Sequence, residues 1–173
     1  MRMNKRILWG ELLFGFFIMA TVAMYTNTLG HEWGHSLTAT IFGVKQNPFE
    51  IHYTPFLFGI DEKVDYQQVA ELPGWQGVTI AAAGPLVNFI FACLSLIFLL
   101  KFNWRNTTGQ RAWLFFFYSL AFFAIGGWLN YTTIRAIVPR GDIANIVRFG
   151  SIPPWVIWVT GIITSIIFLV IFF

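Results

Sequence analysis

The chain has 173 residues, 57% of them hydrophobic and only 11% charged, against about 25% charged in an ordinary soluble domain. Too few charges are present to keep a soluble domain of this size dispersed, so a lipid surround is expected. The formal charge of +3 rests on few groups with no basic run among aromatics, which argues against a nucleic-acid partner, and the single cysteine, Cys93, excludes an internal disulfide.

The first apolar segment covers 7–42. Arg2, Lys5 and Arg6 precede it as in a signal peptide, but no small-residue cleavage site stops the run, so it is read as a span. At about 1.5 Å per residue it is roughly 50 Å long, more than a bilayer core of about 30 Å. It must tilt, protrude or break, and Asn27 to Gly30 is the expected break. Gly43 is the expected C-terminal residue of this helix.

The stretch 44–75 is the only extended polar one. Pro48, Pro55 and Gly59 argue against helix there. The alternation over 49–53 and the strand-like run 56–60 predict a short β-hairpin around Thr54 and Pro55. The remainder, with Asp61, Glu62, Asp65 and Glu71, is expected to be an acidic loop facing water. Three further spans come after it at about 77–100, 112–137 and 155–173. The fold class is therefore an all-α polytopic membrane protein, about four transmembrane helices with a short membrane-associated hairpin after the first. Residues 1–173 form one domain with no internal repeat and no added soluble regulatory domain.

The first span contains His31-Glu32-Trp33-Gly34-His35. Residues four apart share a helix face, so the two imidazoles stand one turn apart. Two nitrogen ligands, a third ligand from elsewhere and an open fourth position suit Zn²⁺, one per chain, with Glu32 placed to act as base. Three ionisable groups within five positions of a membrane helix, with no Lys or Arg beside them, need a positive charge between them. A metal supplies it. Asp142 is the only acidic residue after Glu71 and is a candidate third ligand, although an Asp opening a short helix also serves as an N-cap. His52 is the rival ligand, on a strand where a solvated role is the ordinary one.

These residues resemble the site-2 protease family, the intramembrane zinc metalloproteases. The resemblance rests on His31 to Val44, which looks like the family's metal-binding helix and its Gly-Val ending, and on Ala83-Gly84-Pro85-Leu86-Val87-Asn88, which looks like its Ala-Gly-Pro-x-x-Asn stretch. Pro139-Arg140-Gly141-Asp142 sits where the family places its aspartate ligand. The resemblance implies a three-helix core with zinc inside the membrane, His31, His35 and Asp142 as ligands, and Glu32 as base. It also implies a hairpin that pairs with an extended substrate, in keeping with the need to unwind a helix before its amides can be cleaved.

This chain departs from the family pattern around the aspartate. Asn130 stands farther from Asp142 than the family's Asn does from its aspartate, and Ile143 replaces the family's Gly. Asn130 is the candidate polar helper for the tetrahedral oxyanion, or else closes a helix end. Asn88 is read first as a helix-packing hydrogen bonder.

The positive residues flanking the spans divide almost evenly and do not orient the chain. The N-terminal cluster leans cytosolic, whereas the resemblance puts the hairpin and site near the cytosol. The expected function is hydrolysis of peptide bonds in membrane-embedded or membrane-adjacent proteins, in the cell membrane. A catalytically silent scaffold of the same fold and a metal transporter are the competing readings. The intact Glu32 speaks against the first, and the single ligand cluster against the second. The sequence leaves oligomeric state, substrate and regulation open.

Overall fold

The computed structural model describes residues 5–54, 59–102 and 107–173. The described residues are mostly helical, with one two-stranded ribbon among them. Helix α1 covers Lys5–Ile41, the ribbon comprises β1 (His52–Tyr53) and β2 (Ile60–Asp61), and a short α2 covers Tyr66–Val69. Helix α3 is Gly74–Lys101 and α4 is Thr108–Leu129, continued by a π-helical segment at Asn130–Ile134 and by α5 at Arg135–Ile137. Helix α6 is Asp142–Gly150 and α7 is Pro154–Phe172. Among the described residues, four helical stretches are long and apolar enough to cross a membrane: Gly10–Ile41, Gly74–Lys101, Gly109–Ile137 and Pro154–Phe172. Large apolar side chains such as Phe17, Leu94, Phe122 and Val170 point outward from them, as lipid contact requires.

Helix α1 runs unbroken through Asn27 to Gly30, contrary to the expected break. The glycines there serve packing instead. A Cβ on Gly30 would lie 2.6 Å from the Phe91 ring, and one on Gly34 would lie 2.9 Å from the Ala83 carbonyl oxygen. Both positions face α3, and the missing side chains let the two backbones approach closely. With 37 residues, α1 is about 55 Å long at roughly 1.5 Å per residue, so it must tilt in the bilayer or protrude from it. It ends at Ile41, and Gly43 just beyond has a φ of 77°, which suits a glycine after a helix terminus.

The hairpin is shorter than the sequence suggests. His52 pairs with Asp61 and Tyr53 with Ile60, antiparallel. Residues 49–51 are lost to the ribbon because Asn47 turns the chain: its side-chain oxygen accepts from Phe49 N at 3.0 Å and its carbonyl from Glu50 N at 3.3 Å. Pro55 and most of the expected 56–60 strand lie outside the described residues. Beyond β2 the expected acidic loop contains α2, capped by Asp65, whose carboxylate accepts from the amides of Gln67 and Gln68.

Helices α1, α3 and α4 pack around small residues, with Ala23, Ala39, Ala81, Ala92, Ala121 and Ala124 fully buried. Helix α6 lies on the N-terminal half of α3. Its Ile143 and Ile146 join Ala81 and Ala136 in an apolar cluster, and a Cβ on Gly77 would strike the Phe149 ring at 2.8 Å. This seat brings the start of α6 to α1.

Candidate metal centre

His31 and His35 lie on one face of α1 and are almost fully buried. Asp142 is the first residue of α6. Its carboxylate does not cap that helix, whose N-cap is Gly141 with no side-chain cap bond. It points instead to the two histidines. Asp142 Oδ2 is 3.2 Å from His31 Nε2 and 3.3 Å from His35 Nε2, and the two Nε2 atoms are 3.3 Å apart.

This triangle fits a metal ion. A tetrahedral zinc with bonds of about 2.0–2.1 Å sets its ligand atoms roughly 3.3 Å apart. The three edges lie within hydrogen-bond reach of one another, and the same spacing is what three ligands of one ion require. The His35 tautomer agrees. Its Nδ1 is 2.7 Å from the Ile80 carbonyl oxygen, which can only accept, so Nδ1 carries the proton and Nε2 is free to ligate. Gly84 keeps the space open, because a Cβ there would overlap His35 Nε2 and lie 2.6 Å from His31 Nε2.

His31 is fixed differently. Its Nδ1 is buried and has no hydrogen-bond partner among the described residues, and its ring stacks on Tyr131, centroids 4.6 Å apart and planes at 30°. The π-helical segment, which inserts a residue relative to α-helix, carries Tyr131 to this place. The Arg135 guanidinium lies 4.2 Å from the other ring in this stack, that of Tyr131.

Glu32 is half-buried beside this triangle and faces Glu62. Glu62 itself is half-buried, so this member of the acidic stretch turns inward and does not join the water-facing loop expected for it. His52 is exposed on β1 opposite Asp61, and the metal-competent cluster among the described residues consists of His31, His35 and Asp142. Asn130 opens the π-helical segment, half-buried, with its carbonyl accepting from Arg135 N. Its neighbour Tyr131 is the residue that reaches His31. Asn88 is buried one turn beyond Gly84 and packs on α4, where a Cβ on Gly127 would meet its amide nitrogen at 2.6 Å.

Sequence reasoning did not find Tyr131, the Ile80 carbonyl or the spatial role of Gly84. Only Gly84 carried a signal, as a small residue next to Pro85 in an apolar run.

Residues 19–170 match the model of peptidase family M50. No solved structure matches the chain.

Proposed function

Because the chain belongs to peptidase family M50, the site-2 protease family, we propose that it is an active intramembrane zinc protease that hydrolyses peptide bonds of membrane-embedded or membrane-adjacent proteins. Membership and the four apolar spans make it an integral membrane protein of a metallopeptidase family. Activity, substrate class and a place in the cell membrane are our reading. The observation that carries it is the triangle of His31, His35 and Asp142 at tetrahedral ligand spacing, with Glu32 next in sequence to the first ligand.

On this reading residues 1–173 form one catalytic unit, and His31, His35 and Asp142 hold the ion. Zinc in such a site supplies a Lewis acid that polarises a carbonyl oxygen and makes water acidic enough to deprotonate near neutral pH. Glu32 takes the proton of the attacking water and returns it to the leaving amine nitrogen. Asn130, next to Tyr131, is assigned the amide that donates to the developing oxyanion. The ribbon of β1 and β2 receives an unwound substrate strand, which satisfies backbone groups that the bilayer core cannot.

The test is cleavage of a single-span model substrate by purified protein in nanodiscs. Wild type should cleave it. Glu32→Gln should keep its zinc and lose activity by about 10²–10⁴-fold, the usual weight of a general base. Equal behaviour of the two proteins would end the protease reading and leave a scaffold. Zinc uptake into proteoliposomes by wild type would point to transport instead.

A further inference from the structure

A two-stranded ribbon is marginally stable on its own, so the orientation of β1 and β2 over the centre needs an external anchor. Lys45 is placed to provide one. It lies just past the end of α1, and its own amide donates to the Ala39 carbonyl. The residue as a whole is 9% exposed. The ammonium is committed to backbone. Nζ donates to the Glu50 carbonyl at 2.6 Å and to the Glu62 carbonyl by a short bond. Glu50 precedes β1 and Glu62 comes directly after β2, so one cation joins both ends of the ribbon to the end of α1.

Further contacts run the same way. Ser36 Oγ donates to the Pro48 carbonyl at 2.7 Å, and Trp33 meets Phe49 edge-on at 6.0 Å. The exposed Lys63–Glu50 pair at 3.2 Å adds little, because water screens it. The Lys45 bonds are different: they are part-buried and charge-assisted. Burial also lowers the Lys45 pKa, against the opposing pull of Glu50 and Glu62.

The grip reaches the chemistry through Glu62. With its backbone held by Lys45, the Glu62 side chain faces Glu32 and the Tyr66 phenol. Tyr66 is wedged between two apolar clusters, and burial together with the nearby Glu62 charge pushes its hydroxyl upward, so it stays protonated. The side chain that adjoins the proposed base is thus set by the ribbon, and the ribbon by Lys45.

We propose that Lys45 is a positioning residue: by joining both ends of the ribbon to α1, it fixes the edge that receives substrate and sets Glu62 against Glu32. The proposal rests on the protease reading above. It separates substrate binding from metal binding, because His31, His35 and Asp142 are anchored by α1, α3 and α6.

The experiment uses the full zinc-loaded chain in nanodiscs, as wild type, Lys45→Met and Lys45→Arg. Methionine keeps the apolar stem and removes the donors, whereas arginine keeps them. In Lys45→Met, hydrogen exchange in peptides covering 50–62 should accelerate by about tenfold, the scale of a lost hydrogen bond to a charged group. Zinc per chain should stay at the wild-type value. KM for a single-span model substrate should rise by about tenfold with kcat within about twofold, again on the scale of that bond. Lys45→Arg should recover at least half of both changes. Wild-type exchange and KM in Lys45→Met would overturn the proposal, as would loss of zinc in step with activity or no recovery in Lys45→Arg. If wild type itself cleaves nothing, the protease reading fails, and the exchange data alone decide whether Lys45 holds the ribbon.

Discussion

Gly84 on α3 lies against His35 on α1 so closely that a single added methyl group would overlap His35 Nε2. The same methyl would sit 2.6 Å from His31 Nε2. His35 cannot swing away cheaply, because its Nδ1 is tied to the Ile80 carbonyl on the same helix α3. Gly84→Ala should therefore lower zinc affinity by at least the roughly 10–100-fold seen when groups supporting a metal site are disturbed. Competition with a chelating dye measures it. Wild-type affinity in Gly84→Ala would mean that the ligand triangle is set elsewhere.

Asp142→Ala and His52→Ala should differ sharply. The first removes one corner of a triangle whose edges are 3.2–3.3 Å and should leave less than one zinc per chain after dialysis. The second removes an exposed strand residue and should keep the full complement. Metal analysis of the two variants side by side gives the answer, and the opposite pattern would transfer the third-ligand role to His52.

Tyr131→Leu tests the stacked ring. An aromatic pair contributes about 0.5–1.5 kcal/mol beyond its area, which corresponds to roughly twofold to tenfold in zinc affinity. The loss should appear in zinc affinity, with the helical circular dichroism unchanged, because leucine keeps the apolar volume on the π-helical segment.

Removing the metal should destabilise the folded chain. A ligand at a thousand times its dissociation constant stabilises by about 4 kcal/mol, so a chelator should lower the unfolding temperature of wild type, and added zinc should restore it. Asp142→Ala should show neither response. Thermal scans in the same detergent with and without chelator make the comparison.

Much of this architecture is legible because a bilayer imposes simple rules. Long apolar runs have to be spanning helices, and two histidines four apart have to share a face. The limits of the reading are physical as well. At Asn27 to Gly30 the sequence signals a helix break, and only the position of α3 shows that the missing side chain of Gly30 serves close packing. Asp142 at a helix start has the form of a cap; its actual partners, His31 and His35, are more than a hundred positions away in sequence. Glu62 reads as a water-facing charge in a polar stretch, and tertiary contact alone turns it towards Glu32; nothing in the sequence marks Lys45 as the donor to two carbonyls. The length of β1 escapes the sequence because the turn at Asn47 consumes residues that alternate like a strand.

The π-helical segment at Asn130–Ile134 has a consequence for the gene as well as for the fold. Each residue added to or removed from a helix turns the downstream chain by about 100°. Loss of one codon within 132–134 would leave a span still long enough to cross the bilayer, with α4 upstream still seated on α1 and α3. It would also rotate Tyr131 away from His31 or swing Asp142 off its ligand position. An in-frame deletion of one residue here should thus yield a protein that inserts in the membrane and binds metal poorly, although every residue identified at the centre is still encoded.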